Sequence, residues 1–220
     1  NISTFNKLMP TNFLKVGDFL HNNILIKDLS VAFNSSACIE NYETFKNIDF
    51  GNKPFKHIII NNFLKLNSYK KLARFVKSRK FHLAQSDLYS FQQDFKFLKK
   101  NTLIENDLTK IFKIHMRDFL IKVTNFNLGH KVDITLFKYQ YTDMLACHDD
   151  VKDTRKIAFI FYIVPEDWSI VDGGNLELYS CNGQSIKPHS VSKVITPSSN
   201  TMILFEVSCR SFHSVIIKYD

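Results

Sequence analysis

The sequence predicts an α+β fold in which helices of the N-terminal half buttress one face of a strand-rich sandwich or jelly roll. Two observations carry the prediction. In segment 107–123, Leu108, Ile111, Phe112, His115, Met116, Phe119, Leu120 and Val123 form one apolar stripe at helical spacing. From Val132 onward the period changes to two. Runs at 132–141, 157–164, 175–180, 191–196, 201–207 and 212–217 are β-branched or aromatic, and Gly, Pro, Asn or Asp turns separate them.

Residues 1–53 lack sustained periodicity, although 28–34 and 40–45 read as starts of short helices. They are expected to be an N-terminal extension, with one domain over 54–220. Segment 68–79 has Ser68 as its N-cap, then Tyr69, Leu72, Phe75 and Val76 at helical spacing. The 107–123 helix takes Asn106 or Asp107 as its cap, and His115 on its stripe reads as a packed core residue. Segment 143–156, rich in charge, reads as a loop at the mouth of the strand layers, and Gly173-Gly174 as a turn into a strand.

With 220 residues and 45% apolar composition the chain can bury one sizeable core. No apolar run approaches the 18 or so residues of a membrane span, and no signal-peptide pattern is present, so no membrane association is expected. The four cysteines lack CxxC spacing and disulfide-framework density, which fits a reducing compartment, cytoplasm or nucleus. A net charge of +8 would suggest nucleic acid. Lys is spread along the chain, however, and the basic pairs are short and separated; contact with ribosomal RNA is the role left to that charge.

The chemistry concentrates in Leu145-Ala-Cys-His148-Asp149-Asp150, with Ser211-Phe212-His213 further on. His-X-Asp plus a distant His is the sequence form of a two-His, one-carboxylate facial triad, which holds a non-haem Fe(II) and leaves three coordination positions open. On an extended segment, skipping one residue puts His148 and Asp150 on the same side, and the third ligand is expected from a strand across the barrel. Spacing alone is weak evidence in a chain with eight His, where a surface or satisfied core histidine is the commoner outcome. Cys147, turned away from the ligand face and too soft for Fe(II), reads as buried and structural.

The flanking sequence is more specific. Tyr141–Asp150, Arg155–Pro165 and Gly173–Ser180 closely resemble the 2-oxoglutarate- and Fe(II)-dependent prolyl 3-hydroxylases that modify a proline of a small-subunit ribosomal protein. Phe205-Glu-Val-Ser208, Ser211–His213, Ser86–Gln93 and Pro54–Phe63 match as well, so the resemblance runs from about Pro54 to the end of the chain.

The resemblance implies a double-stranded β-helix, a cupin-like jelly-roll barrel. It implies His148, Asp150 and His213 as iron ligands, and Tyr162 as a phenol hydrogen-bonded to the distal carboxylate of 2-oxoglutarate. Tyr139 matches another tyrosine near the co-substrate. On the residues alone, both tyrosines read equally as core packing with a satisfied hydroxyl. The implied reaction consumes 2-oxoglutarate and O2, with ascorbate as a stimulant, and yields succinate, CO2 and a hydroxylated proline.

One departure stands out. The family anchors the distal carboxylate on an Arg ten to fourteen residues after the second His, beyond Asp220. Lys218 would point to the other face of a continuing strand, and an ammonium does not reproduce the two parallel bonds of a guanidinium. The C-terminus is therefore expected to be incomplete; the family also carries a second, non-catalytic barrel domain after the catalytic one, and none of it is found in these 220 residues. The alternative is a catalytically impaired ribosome- or RNA-binding barrel that has lost 2-oxoglutarate binding.

Overall fold

The computed structural model describes residues 48–216 apart from 65, 98, 100–101, 103–104, 107–108, 110, 118–119, 122–125, 153 and 184–185. The short helices expected at 28–34 and 40–45, and Lys218, lie outside the described residues. The chain divides into two compact units.

The first unit includes Phe63–Lys80 and Asp94–Leu136. Its helix α1 (Leu66–Lys77) buries Tyr69 and Leu72 at the predicted spacing and carries Arg74 and Lys77 in its last turn, where cations suit the carboxyl end of the helix dipole. It begins before Ser68, which therefore lies inside the helix and not at its cap. The segment predicted as a helix over 107–123 includes a π-helical turn, Ile111–Met116, among its described residues. Thr102 and Glu105 form a reciprocal cap ahead of it: the Thr102 N–H donates to Glu105 Oε2 (3.2 Å) and the Glu105 N–H to Thr102 Oγ1 (3.3 Å). Its Thr-x-x-Glu spacing is that of a capping box; Asn106 already lies within a helical turn, and Asp107, the other cap predicted, lies outside the described residues. Arg79 is buried between the carboxylates of Asp94 (2.6 Å) and Glu105 (3.0 Å), with the rings of Phe75 and Phe97 at 5.4 and 6.0 Å. Pairing on both sides is what makes a buried guanidinium tolerable.

The second unit, Phe45–Asn62, Phe81–Gln93 and Phe137–Asp220, holds the strands: β1 (Ile48–Gly51), β2 (His57–Ile60), β3 (His82–Ser86), β4 (Tyr89–Gln93), β5 (Phe137–Lys138), β6 (Met144–His148), β7 (Ile157–Tyr162), β8 (Asn175–Cys181), β9 (Pro188–Ile195), β10 (Thr201–Glu206) and β11 (His213–Ile216). One sheet runs β1-β2-β10-β7. The other runs β3-β4-β6-β11-β8-β9, with β5 on β4. Every pairing is antiparallel. Ile203 and Phe205 from the first sheet, with Phe55 from the bend just before β2, pack against Leu176, Leu178 and Ile195 from the second, joined by Ile59, Ala158, Ile160 and Val215. Two sheets closed on one apolar interior, with non-sequential neighbours, form the jelly-roll barrel the sequence implied.

The strands from 157 onward fall within a few residues of their predictions. The run 132–141 yields only Phe137–Lys138, and four strands precede it, so the division into helices first and strands afterwards is incomplete. The 3-10 turn Ile170–Asp172 leads into Gly173 (φ 77°) and Gly174 (φ 70°), both left-handed. A Cβ on Gly174 would meet only Pro197 at 3.6 Å, so backbone conformation, not space, asks for glycine there.

Candidate metal centre and active site

β6 ends at His148 and β11 begins at His213, and the antiparallel register sets these two residues opposite each other. The third ligand thus comes from the adjacent, hydrogen-bonded strand of the same sheet and not from across the barrel. Their rings lie 4.2 Å apart, centroid to centroid. Asp150 does not follow by strand alternation either. The strand has ended, and Asp150 sits at φ 63°, a left-handed conformation that Asp tolerates better than most residues and that turns its carboxylate back toward the two rings. Oδ1 is 3.7 Å from Nε2 of His148 and Oδ2 is 3.6 Å from Nε2 of His213. One ligand atom from each of the three residues falls within 4.8 Å of the others. Segment 143–156 is accordingly not all loop: its first part is β6.

Both imidazoles are oriented by the same local device. Nδ1 of His148 donates to the Ala146 carbonyl and Nδ1 of His213 to the Ser211 carbonyl, each at 2.8 Å. With the proton on Nδ1, Nε2 presents its lone pair to the centre, the tautomer a metal requires. The Ser211 hydroxyl donates to the Asp149 carbonyl (2.9 Å) and accepts the Ser208 N–H (2.9 Å), which ties the ligand-bearing loop to the turn before β11. His213 is 3% exposed and packs edge-on against Phe205 at 4.8 Å. Burial first, and then the neighbouring His148, lower its pKa to about 4, so the ring is neutral and ligand-ready at ordinary pH.

Cys147 is exposed, not buried: its odd position on β6 turns it to the outer, solvent-facing side of the sheet. Burial of part of the thiol and the nearby Glu177 raise its pKa, which keeps it a thiol. His57, which sequence reading passed over, is buried on the interior side next to Phe55 and Phe205. Its Nδ1 donates to the Phe55 carbonyl (2.8 Å) and its Nε2 accepts from Lys193 of the other sheet (3.0 Å).

Tyr162, the last residue of β7, contributes to the core cluster, and its hydroxyl is buried with no hydrogen-bond partner among the described residues. Leaving a buried hydroxyl unmatched costs about 1–3 kcal/mol. Two other buried polar atoms share that condition, but Asn175 Oδ1 is on the outward alternation of β8 and Glu105 Oε1 has Arg79 beside it. Burial, then Tyr139, push the Tyr162 pKa well above a normal phenol, so it is a donor at any working pH. Tyr139 is half-buried against Phe91 (5.7 Å), its pKa raised by burial and then by Asp143. Asp143 itself closes the turn before β6, accepting from the Gln140 N–H and the Ser90 hydroxyl, each at 2.8 Å.

Two neutral nitrogen donors and one carboxylate, converging with their second nitrogens already bonded, suit a divalent iron. An orphaned donor inside the barrel suits a carboxylate of a co-substrate. Residues 134–218 match the 2OG-Fe(II) oxygenase superfamily, a stretch that includes all three ligands and both tyrosines.

Residues 134–218 are a 2OG-Fe(II) oxygenase domain.

Two proteins similar in sequence are prolyl 3-hydroxylase OGFOD1 of Mus musculus and prolyl 3-hydroxylase sudestada1 of Drosophila melanogaster. The mouse protein is 37% identical over 163 residues, which are 74% of this chain and 30% of that one. The fly protein is 29% identical over 215 residues, 94% of this chain and 40% of that one. The chain thus spans about a third of the length of the curated relatives it matches. In three dimensions the chain is similar to a Trichoplax adhaerens prolyl hydroxylase solved with a hypoxia inducible factor peptide. The TM-score is 0.58 at 17% identity, over 92% of this chain and 90% of that one, a likeness of fold.

Proposed function

We propose that this chain hydroxylates a prolyl residue of a protein, in a reaction that depends on Fe(II) and 2-oxoglutarate and releases succinate and CO2, and that the protein is a small-subunit ribosomal protein. One observation carries the reading: three ligand atoms from His148, Asp150 and His213 converge within 4.8 Å in the same barrel that buries the unmatched hydroxyl of Tyr162. Fe(II), when bound, supplies the oxygen-activating chemistry. The chain supplies the rest. His148, Asp150 and His213 hold the metal on one face, and the Ala146 and Ser211 carbonyls fix the ring tautomers. Tyr162 donates to the distal carboxylate of 2-oxoglutarate, and Tyr139 lines the same side. Phe205 and the apolar interior keep water from the buried side of His213.

The finer assignment is supported by the relatives named prolyl 3-hydroxylases and by the motif resemblance from Pro54 onward. The charge of +8 supports contact with ribosomal RNA near the substrate, and three free cysteines among the described residues support a reducing compartment, cytoplasm or nucleus. A non-catalytic barrel is not favoured, because the ligand set is complete and oriented.

The test incubates the protein with Fe(II), 2-oxoglutarate, ascorbate and proline-containing peptides of small-subunit ribosomal proteins. Mass spectrometry should find a +16 Da prolyl product together with succinate, and neither in Asp150→Ala. Succinate without a hydroxylated ribosomal peptide would keep the oxygenase and reject the substrate.

A further inference from the structure

We propose that Arg155 is a positioning residue that holds Asp150 to a single ligand oxygen and thereby keeps three coordination positions free on the metal; the inference rests on the hydroxylase reading above. The Asp150 carboxylate straddles the two imidazoles almost evenly, 3.7 Å on the His148 side and 3.6 Å on the His213 side. Position alone therefore does not prevent both oxygens from ligating. A carboxylate bound through both would take a fourth position of an octahedron and leave two. A bidentate 2-oxo acid would fill those, and dioxygen would have none.

Arg155 breaks the symmetry. Its Nη1 donates to Oδ1 at 2.8 Å and lies 3.4 Å from the carbonyl oxygen of the same residue. A charge-assisted bond draws electron density from Oδ1 and makes it the poorer donor, so Oδ2, on the His213 side, becomes the ligand. The contact to the carbonyl steadies the left-handed backbone that aims the carboxylate, and the Arg155 N–H, bonded to the Lys152 carbonyl at 3.0 Å, closes the turn that brings the guanidinium back. The pair is about a third and a quarter exposed, so it contributes little to folding. Its removal should read out at the metal and leave the fold intact.

Wild type, Arg155→Met, Arg155→Ala and Arg155→Lys are loaded with Mn(II), a redox-silent probe, and bound waters are counted by electron-nuclear double resonance in isotopically labelled water, before and after adding 2-oxoglutarate. Wild type should carry three waters, falling to one with 2-oxoglutarate. The Met and Ala variants should carry two, falling to none, with Mn(II) held at least as tightly. The Lys variant, whose ammonium still donates to Oδ1, should restore the wild-type counts. With Fe(II), kcat of the Met variant should fall ~10-fold or more while its KM for 2-oxoglutarate stays within ~3-fold, the mark of a lost reaction position and not of lost binding. Wild-type counts in both loss variants would overturn the proposal, as would two waters in the wild type. A merely structural Arg155 would lower thermal stability and Mn(II) affinity together without changing the water count, which also overturns it. Failure of the wild type to bind Mn(II) at all would instead reject the hydroxylase reading beneath it.

Discussion

His148 and His213 each spend one ring nitrogen on a carbonyl two residues earlier, so replacing either ring removes an oriented donor and not merely a bulky side chain. His148 is only part-buried, and His148→Ala should weaken Mn(II) binding at least ~100-fold in isothermal titration, the order expected when ligation is disturbed, while circular dichroism stays unchanged. Tyr162→Phe removes only the unmatched hydroxyl. The apparent KM for 2-oxoglutarate should rise ~10-fold, as for loss of a hydrogen bond to a charged group, and stability should hold or rise because a buried unsatisfied group has gone. An unchanged KM would remove Tyr162 from the site. The cluster of His148, Asp150 and His213 could be named from the sequence because chemistry restricts which side chains bind iron, and because the flanking motifs are specific. Arg155 and His57 could not: a charge near a ligand, or a histidine near a strand, says nothing until the fold shows what it touches.

At the scale of elements, register is what joins the ligands, since β6 and β11 pair so that His148 meets His213 directly. Periodicity could find β7 to β11, whose inward residues alternate, but not which strands become neighbours, because that depends on crossovers that leave no local trace. It also missed β3 and β4, whose Tyr89 and Phe91 alternate among polar residues that read equally as loop. Close approach of β1 to β2 makes Gly51 a test of this packing. A Cβ on Gly51 would run into the ring of His57, which two hydrogen bonds hold in place. Gly51→Ala should therefore cost about 1–3 kcal/mol in urea unfolding, the range for overpacking a filled interior. His213 on β11 links the element to pH. Unfolded, its ring takes a proton near 6.5; folded, not until about 4. Between those values the unfolded chain holds the extra proton, so this contribution is complete above about 6.5 and is lost as pH falls toward 4. The urea midpoint of the metal-free protein should fall over that window, and His213→Asn should flatten the slope.

At the scale of the whole molecule, composition says hardly anything of function. A net charge of +8 is as compatible with a Lys-rich surface as with an RNA partner. The reading of function came from where a few side chains converge. We propose that His148, Asp150 and His213 form one metal centre, with Tyr162 directed at the co-substrate. The most direct test is a crystal structure of the protein grown without oxygen in Mn(II) and 2-oxoglutarate. A single anomalous-scattering peak is expected, bonded to Nε2 of both histidines and to one oxygen of Asp150, with the Tyr162 hydroxyl within hydrogen-bonding distance of the distal carboxylate. A metal bound elsewhere, or a co-substrate whose distal carboxylate lies away from Tyr162, would contradict it.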